Sequence, residues 1–183
     1  MTELLPQAYL LGLIVLLAGA AVVVARQILR VRSDEVTLAN FGGEGRNINR
    51  PQDSAASYEL ASVQLRKRLF GQASDNLKKA LRQAEAEKAP AEARALIENA
   101  LGFSLAAQNN YAVAIRHYRS AIRAKGDYPV ALNNLAFALD KQGKPEEART
   151  TYQQVLDLDP NNKTALKGLK TLDRRSGIPG KAA

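Results

Sequence analysis

The chain has 183 residues, a net charge of +8, no cysteine and one histidine, His117. Disulfides, thiolate metal sites and histidine-rich metal sites are therefore excluded, and ordinary apolar and charged fractions exclude a disordered chain. The positive charge is spread along the sequence with no recognition helix or basic stripe, so no nucleic-acid partner is expected; a solvated basic surface, or attraction to an anionic membrane face, accounts for it.

The first element is apolar. Ala8 to Ala25 carries no charged or strongly polar side chain, and the run extends back to Leu4. Residues 4–25 make a helix of about 33 Å, enough to cross a bilayer. Pro6 falls in its first turn, where a missing N–H costs little. A cleaved signal would need a basic start and a shorter core, but Glu3 precedes the run. Ala18-Gly19-Ala20 mimics a cleavage site, yet Val22, Val23 and Val24 continue the run past it. An uncleaved transmembrane helix is expected. Arg26, Arg30 and Arg32 follow at once, which places everything after them on the cytoplasmic or stromal side.

Residues 26–53 read as a basic exit and a flexible linker, helical to about Arg32 and loose from Asn40 to Ser54, where Gly, Asn, Ser and Pro concentrate. Gly42, Gly43 and Gly45 lack the preceding strand and the Gly-Lys-Ser/Thr ending of a phosphate loop, so they serve as spacer.

Next comes self-similarity. Leu101-Gly102, Tyr111, Ala114, Tyr118 and Ala121-Ile122 are answered by Leu135-Ala136, Pro145, Ala148, Tyr152 and Val155-Leu156, with Ala114 and Ala148 34 residues apart. A weaker copy runs through Leu60-Ala61, Phe70, Ala73, Leu77 and Ala80-Leu81. Large residues fill the space between paired helices, small ones let backbones approach, and Tyr118 and Tyr152 plug the joint to the next hairpin. Gly143 suits a left-handed helix end, and Pro145 with Glu146 and Glu147 suits a helix start. This pattern resembles the tetratricopeptide repeat, although Ser57, Glu98 and Leu132 stand where that repeat usually has tryptophan.

The expected fold is all-α: the transmembrane helix, then a solenoid over residues 54–175. Its repeats occupy about 54–88, 90–127 and 128–160. A capping helix spans 161–175, started by Asn161 or Asn162, with Ala165, Leu166, Leu169 and Leu172 on one face. Residues 176–183 form a disordered tail. The step from Ala73 to Ala114 is 41 residues, so the first junction holds about two extra helical turns. Sharing them lengthens both flanking helices and makes the joint from Glu87 to Glu92 project, either as a harmless insertion or as a docking knob.

First helices line the concave face of such a stack. Opposite the core positions stand Tyr58, Ser62 and Leu65, then Asn99, Phe103 and Ala106, then Asn133, Phe137 and Asp140. Tyr58, Ser62, Asn99, Phe103, Asn133 and Phe137 form the candidate protein-binding face: asparagine for ligand backbone, phenylalanine for apolar anchoring or for packing between hairpins. The Lys/Asn/Arg clamp of chaperone-binding repeats is missing; Lys141 and Lys167 are the nearest cations. No catalytic, cofactor or metal residues are expected. His117 lies beside Arg116 and Arg119 on a face expected to be solvated, and Asp157-x-Asp159-x-Asn161 lacks the glycine and closing glutamate of a calcium loop. Neither an enzyme nor a small-molecule substrate is indicated.

Anchor, basic exit, linker and three repeats together resemble the photosystem I assembly factors of cyanobacteria and chloroplasts. Leu5-Pro6, Tyr9-Leu10-Leu11, Val24 and Arg26-Gln27 look like that family's N-terminus, and the seven-residue extension suits it. The resemblance implies a single-pass thylakoid protein whose repeats hold photosystem I subunits or an assembly intermediate. Two other functions fit the architecture: an anchored chaperone-docking or protein-import receptor, and an oligomeric scaffold of another membrane apparatus, for which Ala18-Gly19-Ala20-Ala21 offers small residues for helix packing.

Overall fold

The computed structural model describes residues 4–42 and 53–176, and the chain divides into two compact units, Met1–Asn49 and Arg50–Ala183. The described residues form eight helices and no strand.

The first unit contains α1, Leu4–Gly42. It does not stop where the apolar run stops. No glycine or proline interrupts the sequence between Arg26 and Phe41, so the helix passes straight through Arg26, Arg30 and Arg32 and ends at the first of two adjacent glycines. The flexible linker expected over 26–53 is thus helical as far as Gly42; the rest of it, 43–52, lies outside the described residues. Apolar side chains from Tyr9 to Val31 are exposed around the helix. A helix apolar on all sides needs an apolar environment, and α1 is long and apolar enough to cross a membrane.

The second unit is a stack of three helical hairpins and a final helix. Helices α2 (Ser54–Arg66) and α3 (Phe70–Ala86) form the first hairpin, α4 (Ala91–Ala107) and α5 (Tyr111–Ala124) the second, and α6 (Pro129–Lys141) and α7 (Pro145–Leu158) the third; α8 is Lys163–Ser176. The turns inside the hairpins share one device. Arg68, Asn109 and Gly143 each adopt positive φ. The next residue in each case returns a hydrogen bond to the preceding helix: Leu69 to Gln64, Asn110 to Leu105 and Lys144 to Leu139, all at 2.9 Å. These are glycine-type helix stops, but only one of the three carries glycine.

The seven-residue excess is shared by α3 and α4. Each has 17 residues, whereas the other second helices α5 and α7 have 14 and the other first helices α2 and α6 have 13. The extra turns also change the joint. Between α5 and α6 and between α7 and α8, the chain leaves the helix in extended conformation at Lys125 and Asp159. Between α3 and α4 it uses another left-handed stop, at Lys88, with Ala89 N–H on the Ala84 carbonyl at 2.8 Å. Glu87 in this joint is already engaged: its carboxylate accepts from the Ser54 N–H at 3.1 Å and the Ser54 hydroxyl at 2.6 Å, at the positive end of α2. Asp53 caps the same helix through the Ala56 N–H at 2.7 Å.

Alanine sets the packing distances. Ala61, Ala73, Ala80, Ala114, Ala136 and Ala148 have no exposed surface, and Leu77, Leu101 and Leu139 fill the space between them. Leu60, in the outermost hairpin, is only half-buried, unlike its counterparts Leu101 and Leu135. The tryptophan position is filled by polar pairs in two hairpins. Ser57 donates to Gln83 at 2.7 Å, and Glu98 meets His117 at 2.6 Å. His117 is therefore not on a solvated face: it is half-buried and bridges α4 and α5. Leu132 fills the third position as ordinary core.

The two tyrosines rest on glycines. A Cβ built on Gly102 would stand 2.7 Å from the Tyr118 ring, within the same hairpin, and one on Gly168 would come closer still to the Tyr152 ring. Tyr152 thus reaches forward to α8, while Tyr118 lies over the first helix of its own hairpin. Gly102→Ala and Gly168→Ala should each destabilise by about 1–3 kcal/mol from overpacking, offset in part by the roughly 1 kcal/mol helix preference of alanine. Thermal melting of each variant checks this; an unchanged or raised Tm would mean that the rings can withdraw.

Helix α8 is capped by Asn162, whose side chain accepts from the Ala165 N–H at 3.1 Å. Ala165 and Leu172 are buried and Leu169 half-buried, but Leu166 is exposed and off the packed face. The charge is less evenly spread than the sequence suggests. Helix α8 carries five cations and one anion, so half of the net +8 resides in 14 residues. The tail beyond Ser176 lies outside the described residues.

Candidate protein-binding site

Within the second unit the backbones of α2 and α4, of α4 and α6, and of α6 and α8 come close, while those of the second helices α3, α5 and α7 stay farther apart, α5 and α7 being bridged by the Arg119–Glu147 ion pair at 3.0 Å. Rods that touch along one row and separate along the other make a curved stack with the touching row inside. The first helices accordingly line the concave side.

Phe103 of α4 and Phe137 of α6 come together there. Both line a groove of about 250 Å³, with Ala106, Tyr111, Tyr118 and Asn134. The two residues are 44% and 46% exposed. More than half of each is covered by neighbouring helices, and the remainder is open to the groove. Phe70 meets Phe103 edge-on with centroids 6.4 Å apart, and the Lys141 ammonium lies 5.5 Å from the Phe137 ring centre. Lys141 is thereby placed over an aromatic face.

The asparagines of the expected face have other partners. Asn99 accepts from Asn134 at 3.0 Å, which ties α4 to α6. Asn133 donates to Asn162 at 3.1 Å and so holds the cap of α8. Its own Oδ1 is buried without a hydrogen bond. Both residues brace the inner row. Tyr58 and Ser62 are half-buried on α2, and the Ser62 hydroxyl donates to the Tyr58 carbonyl at 2.8 Å. Leu65 and Ala106 pack with the core, and the Asp140 carboxylate pairs with Arg175. Periodicity located Phe103 and Phe137 but not Asn134 or Tyr111. These reach the groove from a neighbouring helix face and from a helix start. Nor did it reveal Ser104, fully buried, whose hydroxyl donates to the Phe70 carbonyl at 2.6 Å and fastens the second hairpin to the first.

Burial raises the phenol pKa of Tyr118, Tyr128 and Tyr152 above its ordinary value. Tyr58 adds to the effect at Tyr128 while a hydrogen bond with Asn99 opposes it; at Tyr152, Asp140 adds and Arg175 opposes. Because the folded values lie above the unfolded value of 10.0, this stabilisation is complete below pH 10 and is lost as pH rises through the folded values. The repeats should therefore unfold cooperatively above pH 10, with the tyrosinate absorbance of these three residues appearing together with loss of helical signal. Ionisation of all six tyrosines before helical signal is lost would contradict the burial.

A profile of the tetratricopeptide repeat family matches residues 105–172. A ycf37 protein of Guillardia theta is 30% identical over 96% of this chain and 96% of its own length. The chloroplastic tetratricopeptide repeat protein PYG7 of Arabidopsis thaliana is 29% identical over 86% of this chain, which spans about half (51%) of that protein. Among solved structures, the first tetratricopeptide domain of Spaghetti (RPAP3), bound to an HSP90 peptide, superposes with a TM-score of 0.62 at 20% identity. That match covers 70% of this chain and 96% of that one. It shows a shared fold: an all-helical tetratricopeptide solenoid, the architecture of protein-interaction scaffolds.

Proposed function

This chain belongs to the ycf37 family, and from that premise we propose that it is a membrane-anchored protein-binding scaffold that assists the assembly or stability of photosystem I in the thylakoid membrane. The observation that carries the reading is the likeness to a ycf37 protein over 96% of the chain, anchor and repeats together, joined by the likeness to a chloroplastic tetratricopeptide protein. The N-terminal residues that resemble the photosystem I assembly factors supply the specific role. In this reading α1 spans the membrane once, and Arg26, Arg30 and Arg32 keep the repeats on the cytoplasmic or stromal side. The groove at Phe103 and Phe137 holds a subunit or assembly intermediate. Anchoring raises the effective concentration of membrane-bound partners, so modest contacts suffice. No reaction is assigned.

The test is affinity purification of the tagged full-length protein from mildly solubilised native membranes, with identification of the co-eluting proteins. Enrichment of photosystem I subunits over other abundant membrane complexes is expected. Enrichment of a chaperone or translocon component without photosystem subunits would overturn the role and leave the scaffold. Replacing Arg26, Arg30 and Arg32 by glutamate should scramble orientation; unchanged protease accessibility of the repeats in sealed vesicles would refute the topology.

A further inference from the structure

We propose that the outward face of α8 docks onto an anionic lipid surface. Lys163, Lys167, Lys170 and Arg174 recur at steps of four, three and four residues. At 100° per residue they fall within an arc of about 60°, opposite the buried Ala165 and Leu172. All four are exposed, and none has an ion-pair partner among the described residues. The acidic residue of the helix, Asp173, is turned back toward the stack and held by Arg149 of α7, while Arg175 is held by Asp140. What remains on the outside is a stripe of one sign, about 16 Å long at the helical rise, with exposed Leu166 at its flank.

A terminal helix must be polar to end a solenoid, but polarity does not require a single sign. Lys163 with Lys167 and Lys170 with Arg174 are like-charge pairs one turn apart, which weakens the helix. Mixed charges would solubilise the cap without that cost. The stripe is straight, and neither described cavity lies along it. That shape suits a plane of distributed negative headgroups better than a single acidic peptide, which would need a trough. Clusters of four or more Lys and Arg are attracted to anionic leaflets, and exposed leucine beside them adds insertion. The inference rests on the reading of α1 as an anchor, which keeps α8 at high effective concentration near a bilayer.

The chain has no cysteine, so Leu166→Cys in the full-length protein gives one labelling site for an environment-sensitive fluorophore. The labelled protein is reconstituted into vesicles of phosphatidylcholine alone or mixed with phosphatidylglycerol. Flotation with both kinds tests the anchor. The α8 proposal expects a blue shift, and quenching by a lipid-borne quencher, only with phosphatidylglycerol, reversed by high salt. Both signals should vanish when Lys163, Lys167, Lys170 and Arg174 are all changed to glutamate, with helical signal and melting retained. The same emission in both lipids, or a response that survives the charge reversal, overturns the proposal. So does an emission change on adding polyglutamate without one on adding phosphatidylglycerol, which would make the stripe a protein contact. If the chain fails to insert in either lipid, the anchor reading falls, and the same label, read on protein added to preformed vesicles, still decides for or against α8.

Discussion

Ala114→Trp should abolish cooperative folding of the repeats. Ala114 has no exposed surface, and it sits on α5 where that helix packs against α4 in the middle hairpin. One or two extra methylenes in such a site cost about 1–3 kcal/mol. An indole adds far more, and it cannot turn outward because the helix faces its partner there. At roughly 4 °C of Tm per kcal/mol, even the lower end is measurable. Because each hairpin is held chiefly by its neighbours, damage to the middle one also uncovers the apolar faces of the first and third. Ala148→Trp, 34 residues later and equally buried, should repeat the effect in the third hairpin. Val130→Trp, at a 56% exposed position, should melt like the parent protein. A normal melting curve for Ala114→Trp would refute the packing of α4 against α5.

Phe103→Ala combined with Phe137→Ala should cost the protein its partner while the repeats stay folded. The exposed part of each side chain contributes little to the fold; the loss is the buried remainder, about 1 kcal/mol at each position, and the edge contact between Phe70 and Phe103, worth about 0.5–1.5 kcal/mol. Aromatic anchors at the centre of an interface commonly carry about 2 kcal/mol or more each. Losing two of them, about 4 kcal/mol, weakens binding by roughly 700-fold. The measurement is the yield of co-purified partner proteins from membranes expressing the double variant, normalised to its own amount, with helical signal as the folding control. Full recovery would move the contact site off the concave groove. Asn99→Ala and Asn133→Ala should behave differently, lowering stability as well as binding, since both side chains hold neighbouring helices together.

The repeats were legible because their physics is periodic. A small residue must recur wherever two helix backbones approach, and Ala114 with Ala148 mark that step. The 41-residue interval from Ala73 to Ala114 was equally readable, and the arithmetic of helical turns divided it between α3 and α4. Polar pairing was not readable. Ser57 with Gln83, and Glu98 with His117, join residues 26 and 19 positions apart, and neither residue type announces the partner. For the same reason the sequence of Asn99 and Asn133, alike in type and spacing, does not disclose that one ties to Asn134 and the other to Asn162. The left-handed turns at Arg68 and Lys88 were hidden because the residues there do not favour that conformation. The stripe on α8 is hidden in the sequence because its four cations look dispersed until the helix gathers them.

The touching inner row also sets how the groove responds to force. With α2 against α4, α4 against α6 and α6 against α8, tighter curvature is blocked by steric contact. Straightening is resisted less, because the backbones of α3, α5 and α7 are spaced more widely, with α5 and α7 joined by the Arg119–Glu147 pair and the inner row tied by bonds such as Asn134 to Asn99. The stack is a spring with a stop on one side. A segment that fits within the resting width would meet a stiff wall, whereas a bulkier one would have to stretch the inner row, so elastic work is expected to favour slender ligands before any side-chain chemistry does.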